Sequence, residues 1–339
     1  DKTALIYQLF NTGSYYFLSR PRRFGKSLLL STIEAYALGK KDLFKGLALE
    51  KLERDWTVYP VLHLDLNTQK YDTPESLTNV LEENVQNWEA LYGSSSGEIG
   101  VARRFQGIIR RACEQTGRRV VILIDEYDKP MLQAIGNEAL QNEYRSTLKA
   151  FYGALKSMDG CIRFALLTGV TKFGKVSVFS DLNNLMDISM DDRYAEICGI
   201  SEKEIHTWFE KDIHELAAAT GMSYEETCKE LKTNYDGYHF TENAIGMYNP
   251  FSLLNTFAKK RFGSYWFETG TPTYLVELLK LHHFPIEDLE HIVTSQPVLD
   301  SIDTASTDPI PVIYQSGYLT IKGYNRMFEN YTLGFPNRE

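Results

Sequence analysis

The sequence has little cysteine, no long apolar run and no excess of positive charge. Four cysteines, Cys113, Cys161, Cys198 and Cys228, stand far apart in 339 residues, with no C-x-x-C pair and no histidine cluster beside them. That spacing excludes a disulfide framework and argues against a structural zinc site. The thiols read as reduced, which points to a cytoplasmic protein. No apolar stretch approaches the roughly 20 residues of a membrane-spanning helix, no signal-peptide pattern opens the chain, and neither internal repeats nor low-complexity tracts occur. A net charge of -9 argues against general affinity for nucleic acid or membrane, without excluding a local basic groove. The abrupt start on DKTALIYQLF and the stop at FPNRE read as the edges of a piece of a longer protein. What remains has ordinary globular composition and enough length for two domains.

Five short segments of mostly continuous apolar character read as strands: 15–19, 59–66, 119–125, 162–169 and 184–189. Continuous rather than alternating apolarity suits a sheet covered on both faces. Helical stripes separate them, Leu77, Val80, Leu81, Val85, Trp88 and Leu91 in one, Tyr144, Leu148, Phe151, Tyr152 and Leu155 in another. Residues 92–100 form a loop between helices. Strand–helix alternation implies right-handed crossovers and a parallel α/β sheet. Beyond about residue 200 the pattern is mostly helical. Ser201 with Glu204 and Ser223 with Glu226 are capping boxes, and Asn249-Pro250 is an N-cap followed by proline. KLHHFPIEDLEHIV (280–293) has the pattern of helix–turn–helix. PVIYQSGYLTIKGYN (311–325) reads as strand, Ser-Gly turn and strand. Helices followed by a hairpin are the order of a winged-helix module.

Against the acidic background one stretch is basic. YYFLSRPRRFGKSLLLSTIEAY (15–36) begins as a strand, ends as a helix, and gathers Arg20, Arg22, Arg23 and Lys26 between them. Like charges held close imply an anion, and a chain of phosphates is the obvious one. A phosphate loop needs backbone N–H groups converging at a helix N-terminus, a lysine that reaches the β- and γ-phosphates, and a Ser or Thr hydroxyl for Mg²⁺. Gly25, Lys26 and Ser27 meet that order, with the amides from Phe24 to Leu28 around them. The first glycine of the usual G-x-x-x-x-G-K-[ST] is replaced by Arg20, so Pro21 stiffens the entry to the loop. Arg22 and Arg23 either add positive charge for phosphate or pair with surface acids.

A second apolar strand ends in Asp125-Glu126. In phosphate-loop ATPases the Asp of such a strand orders Mg²⁺ and the adjacent Glu serves as general base for the attacking water. Asp128 either adds a water-mediated contact or caps the helix that begins KPMLQAI. In LLTGVTKFGK, Thr168 is placed to sense the γ-phosphate, with Thr171 and Lys172 behind it, or simply to shape the turn at Gly169. Arg193 is an arginine finger or the salt-bridge partner of Asp191 or Asp192. His63, inside an apolar strand, reads as a satisfied core histidine. AKKRFG (258–263) reads as a helix stop, and the aromatics of NYDGYHFTENAIGMYNPF as packing.

SRPRRFGKSLLLSTI, ILIDEYDKP, LLTGVTKF, FSDLNNLMDIS, YDGYHF, YNPFSLL and GYLTIKGY, in that order, resemble the bacterial AAA-ATPase-like family, phosphate-loop ATPases near the signalling (STAND) branch. The resemblance runs from DKTALI to GYLTIKGY. It implies a parallel sheet in the order 5-1-4-3-2 within a domain at 1–200, a helical lid at 201–260 and a winged-helix-like region at 261–339. The expected activity is slow, Mg²⁺-dependent ATP hydrolysis in a nucleotide-controlled switch. Arg22, Arg23, Phe24, Gly25, Lys26, Ser27, Leu28 and Thr168 would contact the nucleotide, Ser27 and Asp125 the metal, and Glu126 and Lys26 would be catalytic. Members of the family often carry a C-terminal nuclease-like domain, and no E-x-K follows residue 300. Two alternatives stay open: a nucleotide-binding scaffold without turnover, and a nucleic-acid-binding regulator that uses the winged region.

Overall fold

The continuous apolar runs become β1 (Tyr15–Ser19), β2 (Val61–Asp65), β3 (Val120–Asp125), β4 (Ile162–Gly169) and the two-residue edge strand β5 (Met186–Asp187). They form one sheet in the order β2-β3-β4-β1-β5, parallel at every pairing. This is the order expected from the family resemblance, read from the other edge. The computed structural model describes residues 1–172, 175–180, 182, 184–243, 245–269, 275–276, 279–280, 289, 291–300 and 308–339. They divide into two units. The first gathers Asp1–Ser19 and Ser27–Ile188, and the second Arg20–Lys26 and the described remainder from Ser189.

In the first unit the sheet is covered on both faces, as unbroken apolarity requires. Successive side chains of a strand point to opposite faces. Tyr16 meets Phe164, and Phe164 stacks on Phe10 of α1 (Thr3–Thr12), which also meets Tyr36 of α2 (Lys26–Ala37). Phe17 faces the other way, onto Tyr127 and Phe179. A short helix, α3 (Ala48–Leu52), follows α2. Beyond it α4 (Pro74–Tyr92), α5 (Val101–Thr116) and α7 (Glu138–Ser157) pack on one another, with the short α6 (Lys129–Gln133) between the last two in sequence. Phe105 of α5 lies flat on Phe151 of α7 at 4.4 Å and against Trp88 of α4 at 5.4 Å. All three rings are buried. Phe105→Ala is therefore expected to cost about 3–5 kcal/mol of stability, read as a lowered midpoint in denaturant unfolding.

In the second unit four helices enclose a core of Ile205, Ile213, Leu216, Leu231, Tyr235, Tyr248, Leu253 and Phe257. They are Glu202–Trp208, Glu210–Thr220, Tyr224–Tyr235 and Pro250–Lys259. Both expected capping boxes form, and Asn249 accepts from Phe251 N and Ser252 N. The helix at Pro250–Lys259 stops at Lys260, itself left-handed at φ 52°, three residues before the glycine expected to end it.

Further on, a three-stranded sheet places Asn330–Gly334 between Ile292–Ser295 and Thr320–Asn325, antiparallel to both. One expectation fails here. Residues 310–315 are a helix, not the first strand of a hairpin. Pro311 sits in its first turn, where the missing N–H costs nothing, and Ile310, Val312 and Ile313 are all buried, which a short apolar run achieves as well in a helix as in a strand. The hairpin is instead formed by 320–325 and 330–334. The segment 280–293 lies mostly outside the described residues.

Asp236 in this unit is buried, and its Oδ1 has no hydrogen-bond partner. Burial raises its carboxyl pKa, while Lys232 at 3.9 Å works weakly the other way. A folded-state pKa above the unfolded one means that the native state binds the proton more tightly. The associated stability is then full below the unfolded value of about 4 and is lost as pH rises through the folded value. Asp236→Asn should flatten that fall in thermal melts across the acidic range.

Candidate functional site

Parallel strands end on one edge, and in open α/β sheets ligands bind outside those carboxyl ends. At this edge of the first unit, Asp125 closes β3. It is buried and held from two sides. Ser27 Oγ, at the start of α2, donates to its Oδ2 at 2.5 Å, and Thr168 Oγ1, near the end of β4, donates to its Oδ1 at 2.6 Å. Both bonds are charge-assisted, the stronger class of hydrogen bond. Thr168 is fully buried, and its hydroxyl also lies 3.4 Å from the carbonyl of Ile124. In this arrangement Thr168 orients Asp125.

Glu126 follows in the left-handed region, at φ 55°, a conformation that costs a non-glycine residue about 1–3 kcal/mol unless the surroundings impose it. The surroundings do. Tyr127 N donates to Thr168 O at 2.9 Å, and the Tyr127 hydroxyl donates to Thr171 O at 3.1 Å. Desolvation, with the Asp128 and Asp187 charges adding to it, pushes that phenol well above its ordinary pKa and keeps it a donor. Asp128, fully buried, accepts from Thr171 N at 2.7 Å, from Thr171 Oγ1 at 2.8 Å and from Val170 N at 3.3 Å. Its side chain makes no capping bond to the following helix, contrary to one expectation. Its oxygens are taken instead by Val170 N, Thr171 N and Thr171 Oγ1. Gly169 makes the seam possible: a Cβ there would lie 2.6 Å from Asp128 Oδ1 and 2.7 Å from the Tyr127 ring. Gly169→Ala should therefore lower the thermal midpoint and push the two chain segments apart.

The loop Arg20–Lys26 packs within the second unit. Arg20 is buried and donates to the carbonyls of Ser189 (2.7 Å) and Tyr194 (3.3 Å), its guanidinium 4.0 Å from the centre of the Phe240 ring. Its role is to fix the loop, not to add phosphate charge. Phe24 is buried among Tyr238, Phe240 and Met247, and its carbonyl accepts from Gly199 N at 3.2 Å. Lys26 Nζ donates to Arg20 O at 3.1 Å and Pro21 O at 3.3 Å. Arg22 lies over Trp266, with Nε and Nη2 hidden from solvent and lacking an acceptor. Arg23 is exposed, left-handed at φ 66° and near Phe251. Gly25 has φ 97° and open space where a Cβ would stand, so backbone amides there can be approached closely.

The other candidates divide. Leu28 is exposed on α2. Arg193 forms a bidentate pair with Asp191, Nε to Oδ1 at 3.0 Å and Nη2 to Oδ2 at 2.5 Å. Lys172 is buried and paired with Asp187 at 2.9 Å, and Lys175 meets the same carboxylate. His63 Nδ1 is 2.9 Å from Glu34. The seam residues Tyr127 and Gly169 drew no attention in the sequence as partners of Asp128, and the only available signal was their place at two strand ends.

A family model described as Predicted AAA-ATPase matches residues 1–179. The chain belongs to this AAA-ATPase-like family. It is also 38% identical over 342 residues to a protein of Azotobacter chroococcum mcd 1 known as an uncharacterized protein in the vnfD 5' region. That match covers all of this AAA-ATPase-like chain, which spans 64% of the relative's length. Among solved structures, the Aeropyrum pernix ORC2 protein, determined as ADPNP and ADP complexes, aligns over 100% of this chain and 89% of its own, at a TM-score of 0.35 and 9% identity. Likeness at that level bears on neither fold nor activity.

Each unit of this AAA-ATPase-like chain, taken by itself, holds groups of the kind a nucleotide or its metal takes. Arg22 offers buried guanidinium nitrogens without an acceptor, and Gly25 leaves its backbone open. Ser27 and Asp125 are adjacent oxygen ligands of the hard type that Mg²⁺ takes. Among the described residues no cluster of three or more His, Cys, Asp or Glu forms, and a metal carried by phosphates, needing only one or two protein oxygens, requires none. No described helix is long and apolar enough to cross a membrane.

Proposed function

We propose that this chain binds ATP with Mg²⁺ and hydrolyses it slowly, as a switch whose nucleotide state sets conformation. The observation that supports this most is Asp125, buried at a strand end and gripped by the hydroxyl that follows the Gly-Lys pair. A strand ending in surface acids has no reason to bury its carboxylate against Ser27.

In this reading Lys26, Arg22 and the amides from Phe24 to Leu28 hold the β- and γ-phosphates. Ser27 and Asp125 hold the metal, which when bound neutralises charge developing on the transferred phosphoryl group. Thr168 keeps Asp125 aimed. Glu126 accepts the proton of the attacking water, work for which a positioned carboxylate is suited. The remainder of a longer protein, for which the family resemblance implies a nuclease-like domain, is what the switch would control, with nucleic acid as the downstream partner.

Calorimetric titration of the full chain with ATP, ADP and GTP, with and without Mg²⁺, tests the binding reading. Saturable ATP binding strengthened by Mg²⁺ is expected, and no heat with any nucleotide sinks the proposal. Release of inorganic phosphate separates a hydrolase from a scaffold that binds without turnover.

A further inference from the structure

We propose that Asp128 is a positioning residue for Glu126, acting through the backbone N–H groups of Val170 and Thr171 and through the Thr171 hydroxyl. This rests on the reading of Glu126 as the base. Glu126 stands between Asp125 and Tyr127, both tied to β4: Asp125 by Thr168 Oγ1, Tyr127 by its N–H to Thr168 O and its hydroxyl to Thr171 O. Two residues on, Asp128 closes the seam with three accepted bonds from Val170 and Thr171. Residues 125–128 and 168–171 are thereby stitched by six hydrogen bonds from Asp125, Tyr127 and Asp128, and Gly169 lets side chain and backbone touch.

A left-handed Glu lies uphill of the ordinary backbone basins. It stays there only while its neighbours over-determine it. Asp125 is anchored by its own side chain, upstream. The downstream anchor must stop Tyr127 from rotating with Glu126, and Asp128 is the strongest part of that anchor. It is fully buried and accepts from three donors, each left unsatisfied if its side chain goes. Releasing it lets the 126–127 peptide relax and swings the Glu126 carboxylate off the position where a water could be deprotonated. Asp128 and its three donors bond neither Asp125 nor Ser27 in the contacts described, so nucleotide and metal binding should persist.

The test is a set of full-length variants, Asp128→Asn, Thr171→Val, Thr171→Ser and Glu126→Gln, assayed for Mg-ATP affinity by calorimetry and for single-turnover phosphate release. Asn puts a donor against donors, and Val removes the Thr171 hydroxyl with little change of shape. Both should lower turnover by about 10-fold to 10²-fold, the scale of a misplaced catalytic group, with affinity within about twofold. Ser keeps the hydroxyl and should restore turnover. Thr171→Val carries the test if Asp128→Asn misfolds. Undiminished turnover in Thr171→Val, beside a dead Glu126→Gln, overturns the seam and leaves the ATPase reading intact. Affinity and turnover falling together in Asp128→Asn and Thr171→Val overturn it as well, since that marks a merely structural role. Undiminished turnover in Glu126→Gln removes the base and the proposal with it.

Discussion

Glu126→Gln is expected to bind Mg-ATP as tightly as the wild type and to turn it over about 10²-fold to 10⁴-fold more slowly, the usual contribution of a positioned general base. The substitution is isosteric and keeps the backbone with its left-handed φ of 55°, so the seam from Asp125 to Asp128 is undisturbed. What the substitution removes is the carboxylate that would accept a proton from water. Affinity by calorimetry and phosphate release by a coupled assay give the two numbers. Equal turnover in wild type and variant would assign the chemistry to another group, or reveal a protein that binds nucleotide without consuming it.

The second large effect concerns Lys26. Its ammonium is buried and donates to two carbonyls of its own loop. Phosphate oxygens carry full charge and are stronger acceptors than neutral carbonyls, so a triphosphate would draw the lysine away from them. Each charge-assisted bond contributes about 1.5–3 kcal/mol, and about 1.4 kcal/mol is tenfold in affinity. Lys26→Ala should therefore weaken ATP binding at least about tenfold. Unchanged affinity would mean that the nucleotide, if any, binds elsewhere. A melting curve beside the titration shows whether the loss of the two carbonyl contacts has also loosened the fold.

The parallel sheet was legible because strands buried on both faces read as unbroken apolar runs, and Tyr15–Ser19 and Ile162–Gly169 appear with the expected bounds. The edge strand was legible in place but not in length, since of the expected 184–189 only Met186 and Asp187 pair with β1. Residues 310–315 were misjudged because six residues are too few for periodicity to separate helix from strand. Within the site, Ser27 and Asp125 were recognisable from local motifs. Asp128 and Arg20 were not, because their roles depend on partners 43 and about 170 residues away. Only the fold brings those partners near, and a buried arginine on a carbonyl looks the same in sequence as one awaiting phosphate.

Arg20 and Phe24 also dictate where the chain can be cut. The family match ends at residue 179, and a truncated protein stopping there would retain every letter of the nucleotide motifs. It would lack the carbonyls of Ser189 and Tyr194 that receive the Arg20 guanidinium, and the side chains of Tyr238, Phe240 and Met247 that enclose Phe24. An arginine stripped of its acceptors and a phenylalanine turned out to water would both pull at the five residues before Lys26. The smallest fragment that keeps this loop intact is thus longer than its motifs, and expression trials should carry the chain past residue 248.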